Sequence, residues 1–406
     1  MIYPSEEEKP PRFQKPLLVA AAVAVVALFA GAGWYVYTEL FTSKEPPPVV
    51  TPSTLESQAE RLPERVEGRY LFTGTTVWAR AVEKYARGDF AQPFSQLHTL
   101  EREKYDAWST DFECPITENV VPYDVQVNNL VFNCRPEFLS EASKYFNLYD
   151  LANNHTDNQG GQTGITSTRA SMEKAGVQYF GNYDPTITED ICEVIALPVR
   201  VQLPDGKEQK KSLPVAFCAW HLFNYFRGPR PEELAVVQQY AELMPVFGFA
   251  EMGLEYKETA SPDIVSNAHQ MIDAGSDVLF ANNPHWVQNT EVYKDKLIVY
   301  SLGNFIFDQL DTETNRGASI DTSLTVPYDP NVAKWLALAP SCAVFKDDCL
   351  ARAKQQGLKK VSFNLKYAVV ASQGGAGKVT HKADAATQAA VEARMNWPQT
   401  LKALGQ

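Results

Sequence analysis

Leu148-Tyr149-Asp150-Leu151-Ala152-Asn153-Asn154-His155-Thr156 is the stretch from which the rest of the chain is read. Its first five residues are a short, mostly apolar run of the kind that forms a buried strand. Asn158-Gln159-Gly160-Gly161 follows, turn chemistry with two glycines free to take positive φ. Residues from about Thr163 to Ala175 carry a helical pattern, and Gly176 stands where a C-terminal cap belongs. Val177-Gln178-Tyr179-Phe180 then reads as the next strand. The unit is β–loop–α–β, with an amide and an imidazole at the strand's carboxyl end. Ligands sit at that end in parallel α/β sheets. Taken alone, Asn-Asn-His is also what a hydrogen-bonded turn looks like, so its meaning depends on what the other strand ends carry.

The chain has 406 residues, material for one large domain or two modest ones. Its 45% hydrophobic and 21% charged residues are ordinary for a folded protein, so a substantial core is expected. The formal net charge of −12 argues against nucleic acid as a partner, because phosphate contacts need clustered Lys and Arg. No basic stripe, internal repeat, GxxxxGK[ST] motif or GxSxG motif is present in the sequence.

Residues 1–15 are polar and read as a cytoplasmic tail. From Pro16 to Tyr37 no charged residue appears, and the run is long enough to cross a hydrocarbon core of ~30 Å as a transmembrane helix. Trp34, Tyr35 and Tyr37 crowd its far end as interfacial aromatics do. Lys9, Arg12 and Lys15 precede the span and only Lys44 follows closely, which predicts a single-pass protein of the cell membrane with its N-terminus in the cytoplasm. Ala30-Gly31-Ala32 resembles a signal-peptide cleavage site, but apolar sequence continues past it, which favours an uncleaved anchor. Residues 38–66, with Pro46-Pro47-Pro48, read as a stalk. Residues 67–406 form the domain outside.

Within that domain the strand ends repeat one arrangement. Tyr70-Leu71-Phe72-Thr73 reads as the first strand, ending in Gly74-Thr75-Thr76 ahead of a helix containing Val77, Trp78 and Val82. A second strand over about 105–110 ends in Asp111-Phe112-Glu113-Cys114-Pro115. An apolar run from Met244 to Ala250 ends in Glu251-Met252-Gly253-Leu254-Glu255-Tyr256. A helix over about 264–274, closed by Gly275, leads to a strand and then Ala281-Asn282-Asn283-Pro284-His285. The last run, Leu297 to Tyr300, passes into Ser301-Leu302-Gly303-Asn304-Phe305. Polar or small residues at every turn predict one site built on several strand tips.

In order, Gly74-Thr75, Asp111-Phe112-Glu113, Ala152-Asn153-Asn154-His155-Thr156, Gly253-Leu254-Glu255-Tyr256, Asn283-Pro284-His285 and the run from Tyr300 to Asp308 resemble the bacterial capsule synthesis CapA family. These are poly-γ-glutamate capsule proteins related to calcineurin-like metallophosphoesterases, and the resemblance covers roughly residues 68–310. It implies an α/β fold, a four-layer α/β/β/α sandwich of metallophosphoesterase-like type. It also implies a membrane-held protein acting outside the cell on an acidic or other envelope polymer, with capsule synthesis or export subunits as partners. The implied strand tips hold divalent metal, which lowers the pKa of a bound water and neutralises charge on a phosphoryl-like oxygen. Carried over by position, Glu113, Asn154, His155, Glu251 and His285 are the metal-ligand candidates. Glu113, His155 and His285 are the catalytic candidates, and Asn153, Asn304 and Glu255 the substrate-binding ones.

Four positions depart from the family pattern. Thr75 stands where the family has Asp, Glu251-Met252-Gly253 where it has His-Trp-Gly, and Asn283 where it has a second His. Asn158 occupies the place of an expected Asp. A hydroxyl or neutral amide is a poorer ligand for a dication than a carboxylate or imidazole. Glu251 keeps a charge, whereas the other three remove one. The expectation is one weakly held divalent ion, in a domain that binds polymer or scaffolds an envelope complex. The alternative is a metal-dependent hydrolase or transferase of phosphoesterase type. A stalked, adhesin-like surface protein is a third reading, resting only on the anchor and the acidic charge.

Six cysteines in a domain outside the cytoplasm suggest disulfides. Cys342 and Cys349 are close in a loop-like stretch, Cys192 and Cys218 flank Pro204-Asp205-Gly206 as a cross-strand pair would, and Cys114 and Cys134 could bridge near the site. Each could equally be a small buried apolar residue. A Cys218 nucleophile beside His221 is disfavoured by the aromatic run around it. His98, His269 and His381 fall outside the motifs and read as structural. Protease added to intact cells is expected to digest the domain after residue 65 and spare the N-terminus. A protected C-terminal domain overturns the orientation.

Overall fold

A computed structural model describes residues 64–119, 121–225, 227–309, 311–342 and 345–406. The expected tail, the anchor at 16–37 and the stalk up to residue 63 lie outside the described residues. Fourteen strands are described: β1 Arg65–Thr76, β2 Ala107–Phe112, β3 Leu148–Asp150, β4 Gln178–Phe180, β5 Cys192–Gln202, β6 Glu208–His221, β7 Val246–Glu251, β8 Val278–Asn282, β9 Thr290–Tyr293, β10 Lys296–Val299, β11 Asn304–Ile306, β12 Arg316–Pro327, β13 Asn364–Gly374 and β14 Thr380–Lys382. With the helices between them they make a mixed α/β fold dominated by its sheet. Among the described residues no helix is long and apolar enough to cross a membrane.

β1 begins at Arg65, inside the expected stalk, and its partners change along its length. One edge pairs antiparallel with β12 from Arg65 to Thr73. On the other edge, Arg65–Glu67 pairs antiparallel with β5, and Tyr70–Thr76 pairs parallel with β2. The sheet therefore forks. One wing continues β2-β3-β4 and the other β5-β6-β7-β8-β10-β9. Gly68 stands at the fork: a Cβ there would lie 1.8 Å from the Tyr70 hydroxyl, which donates to Pro198 O of β5. A side chain at that position would push the two wings apart.

Alternation along β1 sends its side chains into two cores. Phe72 faces the other wing, stacked on Phe280 with centroids 4.6 Å apart and flanked by Phe217, Phe247 and Phe249. Leu71 faces the opposite way, into a second cluster with Trp108 and Tyr149. That cluster is covered by Val82 and Ala86 of helix Arg80–Ala86 and by Ile165 and Met172 of helix Gln162–Ala175. Helices Pro231–Ala241 and Pro262–Asp273 are the crossovers between the parallel strands β6, β7 and β8.

Local expectations and structure differ in places. β2 runs Ala107–Phe112, so Asp111 and Phe112 sit within it, because the Asp106 carboxylate accepts from Arg69 N at 2.8 Å and delays its entry to the sheet. The helix expected over Val77 and Trp78 starts only at Arg80, since β1 continues to Thr76 and Val77 N donates to Ile306 O. All three cysteine pairs are bridged. Cys192 and Cys218 are directly opposed on β5 and β6, so Cys218 is no free nucleophile. The segment of Cys342 and Cys349 is helical rather than loop-like, with the bridge joining helix Pro330–Cys342 to helix Lys346–Gln355. His381 lies on β14.

Phe72→Ala should destabilise the domain by about 3–5 kcal/mol, the usual cost of an aromatic deletion in a core. Chemical denaturation checks it, and a loss under ~1 kcal/mol would mean the wings do not pack on this ring.

Candidate functional site

Strand β1 and strands β2, β3, β7, β8 and β11 deliver their polar residues to one region. At the end of β1, Gly74 lets two segments touch: a Cβ there would meet Gly303 O at 1.9 Å, and Thr75 N donates to that same oxygen at 3.0 Å. Thr75 then turns its hydroxyl to Asp111 Oδ2 at 2.8 Å. The position where the resemblance expects a carboxylate thus spends its one donor on a neighbouring carboxylate.

Asn153 is fully buried and has no atom to spare. Its amide nitrogen donates to Phe112 O at 2.8 Å and Asp111 Oδ1 at 3.2 Å. Its oxygen accepts from the backbone of His155 and Thr156. It was expected to contact substrate, but as placed it fastens the loop after β3 to the end of β2. Asn304 is committed in the same way, within the protein rather than toward a ligand. Glu255, the third substrate candidate, lies on the rim with about two-fifths of its side chain exposed.

Both imidazoles are oriented by amides whose own direction is set by the backbone. Phe132 N donates to Asn158 Oδ1 at 2.7 Å, so that atom is an oxygen and accepts from His155 Nδ1 at 2.8 Å. Asn304 Nδ2 donates to Thr314 O, which leaves Asn304 Oδ1 to accept from His285 Nδ1 at 2.8 Å. Each ring therefore carries its proton on Nδ1 when neutral and presents Nε2. His155 Nε2 lies 3.6 Å from Glu113 Oε1, and His285 Nε2 lies 3.6 Å from Glu255 Oε1. A hydrogen bond from Nδ1 to an amide oxygen orients a metal-binding histidine in this way. His155 also stacks on Phe132, centroids 3.7 Å apart. Asn283 and His285 both have positive φ, 99° and 58°, a strained turn held by Asn283 Nδ2 donating to Gly253 O at 2.6 Å.

Burial dominates the electrostatics. It pushes Glu113 up to about 8, with His285 pulling down and Asp111 pushing further up. Burial also raises Asp111 to about 6 against hydrogen bonds from Thr75 and Asn153. Asp150 and Glu251 are raised well above the usual carboxylate range, first by burial and then by neighbouring carboxylates. Burial lowers His155 to about 4, helped by Arg80 and His285. Close as they are, Glu113 and His155 are thus acid and neutral imidazole near pH 7, not an ion pair. The rim pair differs. His285 is raised, because Glu255, Glu113 and Asn304 outweigh its burial, and the bond to His285 lowers Glu255.

Among the four buried carboxyl groups Glu113 feels the positive charge of Arg80, whose guanidinium is paired with Asp308 and lies 4.4 Å from the Phe132 centroid. Arg80, Asp308, Asp111 and Asp150 were missed as site residues. Asp111 was legible, since it stands in the same Asp111-Phe112-Glu113 motif at the end of β2. Nothing in the sequence links Arg80 to Asp308.

Glu113 Oε2, Glu251 Oε2 and Asn154 Oδ1 are buried without a hydrogen-bond partner. Such atoms are costly unless something fills the demand. Carboxylate, amide oxygen and imidazole Nε2 are together suitable donors for a divalent cation. As the side chains stand, no three His, Cys, Asp or Glu among the described residues are grouped to hold one ion. The donor chemistry fits a metal, and closing a three-ligand shell needs side-chain movement.

The family model described as bacterial capsule synthesis protein PGA_cap matches residues 69–194 and 244–309. Capsule biosynthesis protein CapA of Bacillus anthracis is 27% identical over 234 residues, 54% of this chain and 54% of that protein. PGA biosynthesis protein CapA of Bacillus subtilis is 39% identical over 72 residues, 18% of this chain and 19% of that one. The match spans about half the length of the first relative and less of the second. Among solved structures, TT1561 of Thermus thermophilus aligns at TM-score 0.34 and 10% identity, covering 63% of this chain and 94% of that one, too loosely to argue from.

Asn158→Ala should leave the His155 Nδ1 proton and the Phe132 N–H without their acceptor, costing about 1–3 kcal/mol. Nitrogen chemical shifts of His155 should then lose the single-tautomer pattern. An unchanged pattern would show that Asn158 does not orient the ring.

Proposed function

The chain belongs to the bacterial capsule synthesis protein family, and from that premise we propose that it serves the making or export of poly-γ-glutamate or another acidic envelope polymer. In this reading residues 16–37 anchor it in the cytoplasmic membrane, and the domain works outside, alongside other capsule synthesis or export subunits. The two sheet wings with helices on their outer faces support the four-layer arrangement of the metallophosphoesterase type.

The observation that carries the reading is the buried carboxylate–histidine cluster with its orphaned oxygens. Glu113 and Glu251, with Asn154, His155 and His285, would hold one divalent cation. When bound, that ion supplies positive charge to a site that lacks it and can polarise an oxygen of the polymer. Thr75, Asn158 and Asn283 support a reduced site, since each spends its polar atoms inside the protein. The domain then binds polymer or scaffolds its assembly. One feature favours the alternative, a phosphoesterase-type hydrolase or transferase. His285 lies 3.6 Å from Glu255, whose carboxylate favours the protonated imidazole, the kind of pair that serves as a general acid.

Metal analysis of the purified full chain tests the proposal. One divalent ion per chain is expected, with Glu113→Gln and Glu251→Gln each lowering affinity by at least about tenfold, as loss of a charged ligand does. Two tightly held ions would replace the reduced-site reading with the hydrolase reading. A chain that binds no divalent ion would end both.

A further inference from the structure

Next to the cluster, on the far side of Arg80, a cavity of about 310 Å³ opens between helix Arg80–Ala86 and helix Tyr123–Asn129. Its cations are Arg80, Lys84, Arg87 and Arg135, and its apolar walls include Phe90 and Tyr123. Glu83 is the one carboxylate in the lining, 3.6 Å from Arg135. Arg135 is also paired with Glu137, and Arg80 with Asp308. Lys84 sits over the Tyr123 ring, 4.2 Å from its centroid. Among the described residues neither Lys84 nor Arg87 has a carboxylate at ion-pair distance. A pocket with spare positive charge is out of keeping with a chain of net charge −12.

The pocket is continuous with the cluster through stacked groups. Arg80 lies over Phe132, and Phe132 stacks on His155. We propose that this pocket is a carboxylate-binding subsite, in which Lys84 and Arg87 hold acidic groups of an extended polymer whose neighbouring part lies at Glu113 and His155. The proposal rests on the polymer reading above and adds where the polymer runs. The aromatic walls accept the methylenes of an acidic side chain, while the cations take its charge. The pocket already shows this chemistry internally, since Glu83, Glu137 and Asp308 each engage one of its guanidinium groups. An incoming carboxylate meets the two cations that remain. The pocket also supplies positive charge beside a cluster that is poor in it.

The test measures binding of a fluorescent oligoglutamate to the full chain, purified in neutral detergent, by anisotropy at low salt. Lys84→Gln with Arg87→Gln should raise Kd about tenfold, the effect of two exposed charge contacts. Lys210→Gln with Lys211→Gln removes the same charge near the start of β6, away from the site, and should change Kd less than about twofold. Equal weakening by both pairs would make the effect general electrostatics and overturn the subsite. So would an unchanged Kd in the Lys84/Arg87 variant, or an oligoglutamate that does not bind the parent chain. Polyphosphate binding as tightly and losing the same factor would remove the carboxylate assignment. Metal content should stay that of the parent in the Lys84/Arg87 variant, so failure here leaves the cation reading standing on its own result.

Discussion

A single strand has to belong to two sheets. β1 keeps one partner, β12, along most of one edge, and exchanges β5 for β2 along the other. Everything downstream follows from that exchange. It makes Phe72 the ring on which the wings close, and it brings the tips of β2 and β3 to the same place as those of β7 and β8. The exchange is possible because Gly68 has no side chain and the Tyr70 hydroxyl takes the space to reach β5. A core of stacked phenylalanines then fixes the distance between the wings, as close packing leaves little slack.

The site lives on the tension this closure creates. Four carboxyl groups are buried where water cannot reach them, and burial raises them well past their ordinary range. Charged groups taken out of water need partners, and the protein supplies few. Asn158 and Asn304 go to ordering the two imidazoles, and the Arg80 guanidinium is committed to Asp308. What remains is a region poor in positive charge, with unpaired oxygens on Glu113, Glu251 and Asn154. The basic pocket next door has the opposite imbalance.

The part of the fold legible from sequence was its local part. The helix after the Asn-Asn-His loop spans Gln162–Ala175, close to its expected start, with Gly176 as a left-handed cap at φ 72°. Short-range rules suffice there, because apolar spacing and turn glycines act within a few residues. Cys192 facing Cys218 was likewise readable from symmetry about one turn. The length of β1 and its fork were not, since they depend on β5 and β12, more than a hundred residues away. The site divides along the same line. Glu113, His155, Glu251 and His285 are candidates legible in the sequence because each follows a strand-like run. Arg80 and Asp308 are 228 residues apart, and only the folded chain introduces them. Asn153 and Asn304, read from sequence as substrate contacts, spend their hydrogen bonds within the protein.

β1 also sets the direction in which the cleft faces. The chain enters the domain at Glu64, beside the amino end of β1, where its backbone N–H joins Gln202 O of β5. Twelve residues later, at Thr76, the same strand reaches the cleft. At ~3.3 Å per residue that is a lever of roughly 40 Å. The Glu64 end of the domain and the cleft are therefore held apart by the full length of one strand, which ties them together rigidly.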